Sequence, residues 1–210
     1  MTRIGRIVLL AILATPWWLP LQAQAEPAQA EWIGDLRNGG HVIVLRHGAT
    51  HADQADTDPL HPENVALQRQ LNDKGRDLAR SIGEAMRKLK IPVGMVHTSV
   101  LNRAIENGKL LGFGEVRPSL DFTEGGLVVS PIENDRRAQV LRKLAATVPP
   151  TGTNVIVVTH KPNILDAFGK DWFEVKEGEA SVFKPDGVGY KPVARVQADE
   201  WSRAAQGNPN

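Results

Sequence analysis

The chain contains no cysteine among its 210 residues, which excludes several kinds of site before any motif is considered. Structural disulfides, thiolate nucleophiles, Cys-ligated zinc sites and iron–sulfur clusters all need cysteine side chains. Basic and acidic residues are nearly balanced, with 25 Lys and Arg against 24 Asp and Glu, so the chain lacks the basic excess typical of nucleic-acid-binding proteins. Any recognition of phosphate must therefore depend on a few local side chains.

The first 25 residues have the pattern of an export signal. Two arginines precede an apolar run at 7–14, which is too short to cross a membrane. Ala-Gln-Ala at 23–25 matches the pattern that a signal peptidase cleaves, and the same tripeptide recurs at 28–30. We expect cleavage before Glu26 and a periplasmic or secreted protein without a membrane anchor. Loss of this segment changes the formal net charge from +1 to −1.

The remaining residues, 26–210, are expected to form a single domain. The hydrophobic fraction of 41% is typical of globular proteins, and a chain of this length can bury a core without disulfides or metals. Apolar β-branched runs at 41–45 and 155–158 follow turn signals and predict buried parallel strands, with a further strand at 91–97. Helical spacing predicts helices between them, so we expect a three-layer α/β/α sandwich with a mostly parallel central sheet.

Three other segments carry weaker signals. Residues 113–135 are punctuated by Gly and Pro and lack a regular period, which predicts a long functional loop. The runs at 180–183 and 190–196 flank a Pro-Asp-Gly turn and predict a hairpin at the edge of the sheet. Residues 204–210 are expected to be a frayed tail.

Two of the predicted strands end at histidines. His47, within Arg46-His47-Gly48, follows the first strand, and His160 follows the strand at 155–158. Ligands of such sheets bind beyond the carboxyl ends of the strands. One ring nitrogen of a histidine can attack phosphorus while a backbone carbonyl holds the other, and an arginine supplies a permanent positive charge. The tripeptide alone is also compatible with an ordinary strand end followed by a turn.

Four separated segments make this pattern more specific. They are Leu45-Arg46-His47-Gly48-Ala49-Thr50, Leu71-Asn72-Asp73-Lys74-Gly75-Arg76, Thr98-Ser99-Val100-Leu101-Asn102-Arg103-Ala104 and Val158-Thr159-His160. In order and spacing they resemble the motifs of the histidine phosphatase superfamily, branch one, whose fold is phosphoglycerate-mutase-like. The match spans residues 40–165, and together with the export signal it indicates an exported bacterial member.

The resemblance implies a metal-independent phosphatase that needs no cofactor. It assigns His47 as the nucleophile that forms a phosphohistidine, and it places Arg46, Arg103 and His160 around the phosphoryl oxygens. Two guanidinium groups and an imidazolium can bind three equatorial oxygens without a metal ion. Thr50 is expected to donate a hydrogen bond to phosphate.

The proton donor to the leaving group is ambiguous. In the family this acid lies in the loop after the second arginine motif, usually four residues before a glycine. That spacing favours Asp121, ahead of Gly125, but Glu124 has the longer side chain and can reach the same point. Either carboxyl must be protonated when the leaving group departs.

Two features depart from the family pattern. Lys161 follows the second histidine where the family often has glycine, which places an ammonium beside the phosphate pocket or directs it to solvent. Residues 50–58 are rich in groups that bind cations, and His51 lies four residues after His47. A required metal would compete for the nitrogen of the nucleophile, so we expect none.

The substrate is left open by these motifs. The chain is compact, whereas mutases of this fold carry longer insertions, so hydrolysis is favoured over a phosphoglycerate-mutase-like phosphotransferase. A phosphate-ligand-binding protein with little turnover is the alternative from another class. We expect a small phosphorylated substrate or a phosphorylated envelope glycolipid as the partner, and no nucleic acid.

Overall fold

A computed structural model describes residues 29–125 and 128–207. The predicted export signal, residues 1–25, lies outside this range. Within it the helices are α1 (Gln29–Arg37), α2 (Asp73–Lys88), α3 (Asn102–Leu110), α4 (Pro131–Ala145), α5 (Lys161–Phe168) and α6 (Ala198–Gln206). The strands are β1 (Val42–Arg46), β2 (Val93–Ser99), β3 (Val116–Ser119), β4 (Asn154–Thr159), β5 (Ala180–Pro185) and β6 (Tyr190–Val196). No helix of the described ranges is long and apolar enough to span a membrane.

The six strands form one sheet in the order β3-β2-β4-β1-β5-β6. The first four are parallel, and the hairpin β5-β6 adds two antiparallel strands at the edge, as predicted. Arg46 at the end of β1 pairs with Thr159 at the end of β4. The residues that follow these strands, His47 and His160, therefore lie side by side at the carboxyl edge.

Helices cover both faces of the sheet, which confirms the predicted three-layer α/β/α sandwich. Side chains alternate along β1, so Ile43 and Leu45 enter one core while Val42 and Val44 enter the other. The first core includes Trp32, Ile82, Met86 and Trp201, and the second includes Leu141, Ile164 and Phe183. Burial of β1 on both faces explains its continuous apolar run.

The start of α2 packs tightly against the loop that follows His47. The Asn72 side chain caps the helix by accepting a hydrogen bond from the Gly75 nitrogen (2.9 Å), and its Nδ2 donates to the Thr50 carbonyl (3.0 Å). A Cβ on Gly48 would lie 2.7 Å from the Gly75 carbonyl oxygen, so both glycines are needed for this close backbone approach. The second motif therefore holds the nucleophile loop in place.

The prediction of a long loop over 113–135 is wrong in part. The segment contains β3, a 3₁₀ turn at Leu120–Phe122 and the first residues of α4, which begins after the cap Ser130. β3 is a four-residue edge strand that includes Pro118, and it forms because it pairs in parallel with β2. Such a short strand leaves no periodic signal in the local sequence.

The predicted tail is also wrong over residues 204–206, which belong to α6. Trp201 on this helix is fully buried, and its ring packs edge-on against Trp32 of α1 with 4.8 Å between centroids. The helix is therefore docked on the core through one large aromatic contact. α4 ends at Ala145, ahead of the prolines at 149 and 150 that mark its stop.

Candidate active site

His47 is buried, and its ring orientation is defined by a backbone contact. It is 4% exposed, and its Nδ1 lies 2.8 Å from its neighbour's carbonyl oxygen, that of Gly48. A carbonyl oxygen only accepts, so Nδ1 carries the proton and Nε2 has a free lone pair. Desolvation, followed by the proximity of His160, holds the pKa of His47 well below its usual range. The imidazole is therefore neutral and has the tautomer that a nucleophile attacking through Nε2 requires.

His160 packs edge-on against His47, with 5.1 Å between the ring centroids. The residue is fully buried, and its Nδ1 lies 3.4 Å from Glu124 Oε1. Burial, followed by the positive charges of Arg103, Arg69 and Arg46, lowers the pKa of His160 well below its usual range. The positive charges around His160 therefore favour the binding of an anion at this point.

Arg103 extends from the first turn of α3 and is fully buried. Its guanidinium makes a bidentate pair with Asp56, with nitrogen–oxygen distances of 2.9 and 3.0 Å. One of the same nitrogens also donates to Glu124. Two carboxylates thus hold the guanidinium fork, and an arriving dianion must compete with them for its terminal nitrogens.

Arg46 is oriented by the loop that leads into β5. Its guanidinium donates to the Val175 carbonyl oxygen (2.7 Å) and lies 3.8 Å from the Glu177 carboxylate. The backbone groups of Arg46 bond to the same loop, at Gly178 and Glu179. This arginine is therefore fixed by a loop other than the segment that carries Asp56.

Several buried polar atoms of this group have no hydrogen-bond partner among the described residues. They are Arg46 Nε, Arg103 Nε, Asn107 Nδ2 and both ring nitrogens of His160. A buried polar atom without a partner costs about 1–3 kcal/mol, so folded proteins rarely collect them without a ligand to bind. Asn107 contacts the nucleophile loop directly, because its Oδ1 accepts from the Gly48 nitrogen (2.8 Å). The cluster is therefore a candidate anion site.

The two candidate acids lie in different surroundings. Glu124 contacts both Arg103 and His160. The Asp121 carboxylate instead forms an ion pair with Arg136 of α4 (2.7 Å) and is 36% exposed. The structure therefore brings Glu124 into the cluster and directs Asp121, which the spacing favoured, towards α4.

Thr50 and Lys161 are the other two residues that the sequence singles out. Thr50 is half-buried beside α2, where its carbonyl accepts from Asn72, and its contact with phosphate stays a prediction. Lys161 Nζ lies 4.7 Å from the centroid of the Phe173 ring, at the surface. A cation–π contact thus accounts for the position of this ammonium.

Two residues near the site were missed by sequence reasoning. Asp56 was considered only within a cation-binding segment, yet it pairs with Arg103 and also accepts from the Arg69 backbone nitrogen (3.0 Å). Arg69 lies close enough for its charge to lower the pKa of both Arg46 and His160. Its position two residues before the motif at 71–76 was the available signal. Among the described residues, no group of three or more His, Asp and Glu forms a candidate metal site.

Similar solved structures include several phosphatases. The protein histidine phosphatase SixA, complexed with tungstate, has a TM-score of 0.55 and 17% identity, covering 76% of this chain and 97% of its own. Phosphoserine phosphatase from Entamoeba histolytica, in complex with 3-phosphoglyceric acid, has a TM-score of 0.55 and 15% identity, covering 77% and 98%. The mycobacterial glucosyl-3-phosphoglycerate phosphatase with bound VO3 has a TM-score of 0.52 and 16% identity, covering 74% and 98%.

No family model and no curated protein matches the sequence. Identities of this size establish a shared fold, and each neighbour is covered over nearly its whole length. The chain therefore has the phosphoglycerate-mutase-like fold of these neighbours.

Proposed function

We propose that this protein is a metal-independent phosphomonoesterase that acts through a phosphohistidine on His47. The observation that carries the proposal is the orientation of His47, whose Nδ1 is held by the Gly48 carbonyl and whose Nε2 is free, beside buried arginine and histidine atoms without partners. A phosphoryl group has three oxygens that accept hydrogen bonds from such donors. The shared fold with known phosphatases supports the same assignment.

In the first step, Nε2 of His47 attacks phosphorus and the bond to the ester oxygen breaks. The ester oxygen leaves with a proton from the Glu124 carboxyl, which becomes a carboxylate. Arg46, Arg103 and His160 bind the phosphoryl oxygens and stabilise the charge that spreads over them in the transition state. His47 keeps its Nδ1 proton, and the hydrogen bond to Gly48 stabilises the positive charge that forms on the ring.

In the second step, water attacks the phosphohistidine. The Glu124 carboxylate takes a proton from this water, the bond between phosphorus and Nε2 breaks, and inorganic phosphate leaves. Both His47 and Glu124 return to their starting states, so the cycle balances without a metal or an oxidant. Glu124 is proposed for this role because it contacts Arg103 and His160, whereas Asp121 is paired with Arg136.

The alternatives are less well supported by the site. A phosphate-binding protein with little turnover needs the buried donors but has no use for a histidine held in the nucleophilic tautomer. A phosphotransferase needs a phosphorylated acceptor in addition to the donor, whereas hydrolysis needs only water. The substrate is proposed to be a small phosphomonoester, with a phosphorylated envelope glycolipid as the alternative.

Trapping of the intermediate tests the mechanism. Purified protein is incubated with radiolabelled phosphoramidate and quenched in alkali, because phosphohistidine survives base but not acid. We expect label on His47, none in His47→Ala, and an unchanged level in the control His61→Ala, whose ring is exposed and paired with Glu63. Label on a serine or a carboxylate, or none at all, would contradict the proposed function.

Export is proposed on the signal pattern of residues 1–25. N-terminal sequencing of the protein from a periplasmic extract is expected to begin at Glu26. Recovery of the chain with Met1 intact in the membrane fraction would contradict this location.

A further inference from the structure

A cavity of about 530 Å³ adjoins the candidate anion site. Its wall includes Asp56 and Glu124, the two carboxylates that hold the Arg103 guanidinium. The cavity therefore borders the proposed phosphate site on the side of the proposed proton donor, which is the side that the leaving group must occupy. Its volume lies within the range of pockets that enclose a drug-sized organic molecule.

Most of the remaining described wall is apolar. It includes Pro59, Leu60, Leu101, Leu120, Val128 and Val129. Three of these side chains are unusually exposed for their type, at 71% for Leu60, 54% for Leu120 and 47% for Val128. Contiguous exposed apolar side chains beside a candidate catalytic group indicate a surface that binds an apolar partner.

The charges on the described wall exclude a second anionic group. Asp56 and Asp58 contribute carboxylates, Glu124 is the proposed proton donor, and Arg137 contributes a guanidinium. That guanidinium is already paired, because its Nε donates to Glu133 (2.9 Å) and its Nη1 donates to the Thr123 carbonyl (2.8 Å). A carboxylate on the organic part of a substrate would thus meet negative charge without an available cation.

We propose that the protein selects phosphomonoesters whose leaving group is uncharged and apolar, and that this cavity binds that group. The inference rests on the proposed function and deepens it, since it assigns the substrate class of the same site. Phosphorylated hydroxy acids and other esters with a second negative charge are then poor substrates, although their phosphate is the same.

Two alkyl esters of equal length test this selection. The leaving groups of hexyl phosphate and 6-phosphooxyhexanoate are similarly basic alkoxides. The two esters differ at the far end of the alkyl chain, where 6-phosphooxyhexanoate carries a carboxylate. We expect kcat/KM to be at least about tenfold higher for hexyl phosphate, and to rise from ethyl to hexyl phosphate by up to about fourfold per methylene that enters the cavity.

A charge introduced into the wall should reverse the preference. Leu120→Lys is expected to lower kcat/KM for hexyl phosphate and to raise it for 6-phosphooxyhexanoate, each by about tenfold. The control Val188→Lys changes a side chain that is 99% exposed on the β5-β6 turn, away from the cavity, and should alter neither value. A gain on one substrate cannot result from misfolding.

The outcomes separate the two proposals. Equal kcat/KM for the two esters, with His47 still labelled by phosphoramidate, would overturn the cavity inference and leave the phosphatase intact. Failure of Leu120→Lys to shift the preference would also overturn it. Absence of both label and turnover would overturn the proposed function, and the inference with it.

Discussion

The proton donor offers the sharpest test of the site, because the two candidate carboxyls lie in different surroundings. Glu124→Gln keeps the shape of the side chain and an oxygen that accepts from Arg103, but the amide cannot supply an acidic proton. Arg103 also keeps its bidentate pair with Asp56, so its position should be retained. The variant therefore removes the acid while leaving most of the anion site in place.

The expected loss depends on the leaving group. Ethyl phosphate departs as a basic alkoxide and needs a proton, whereas nitrophenolate leaves without help. Since general acid catalysis contributes about a hundred- to ten-thousand-fold, kcat of Glu124→Gln should fall by at least about a hundredfold on ethyl phosphate. On nitrophenyl phosphate the rate of phosphoenzyme formation, followed as the burst of nitrophenol, should stay within about tenfold of the parent.

Asp121→Asn is the matched control. Its ion pair with Arg136 is partly exposed on both sides, and pairs of this kind contribute only about 0–1 kcal/mol to stability. Its activity should stay within about twofold on both esters, since no step uses it. If Asp121→Asn shows the leaving-group-dependent loss and Glu124→Gln does not, the assignment from geometry is wrong and the spacing argument is right. Equal losses on both esters in both variants would mean that the acid lies elsewhere.

Three further results are expected. Chelation with EDTA should leave turnover unchanged while vanadate inhibits, because Arg46 and Arg103 supply the positive charge and His160 a hydrogen bond, and activity restored by zinc or magnesium would contradict this. The pKa values of His47 and His160 are lowered in the folded protein, so as the pH falls below 6.5 these histidines take up protons in the unfolded chain before they do so in the folded one. Each histidine should then reduce the free energy of unfolding by up to about 1.4 kcal/mol for every unit by which the pH falls. Denaturant titrations of His160→Asn at several pH values should show that one of these two contributions is lost. Asp56→Asn should tighten inhibition by phosphate at least about tenfold, because a carboxylate no longer competes for Arg103, and weaker inhibition would refute that competition.

The parallel centre of the sheet could be predicted because its strands are buried on both faces. β1 and β4 are continuous apolar runs, and each run ends where polar residues begin. β3 could not be predicted in the same way, because it depends on pairing with β2, which is distant in sequence. α6 does carry a local signal, since Gln197 and Glu200 form a capping box at its start, and the prediction of a frayed tail over its last turn overlooked it.

The site shows the same division between local and distant effects. His47 and His160 each follow a strand directly, so the pairing of β1 with β4 was enough to bring them together. Asp56 reaches Arg103 across 47 positions of chain, through an irregular segment whose path no local pattern describes. Its composition indicated cation binding in general, and the cation that it binds here is a guanidinium.

The choice between Asp121 and Glu124 depends on backbone direction, which spacing to a glycine does not report. The 3₁₀ turn at Leu120–Phe122 directs Asp121 towards Arg136 on α4. Two bonds of Thr123 then fix the chain that follows, since its hydroxyl donates to the Ser119 carbonyl (3.1 Å) and its carbonyl accepts from Arg137 (2.8 Å). Glu124 leaves this anchored residue on the side of Arg103 and His160. A carboxyl three positions further along the chain thus reaches the site because the backbone turns between them.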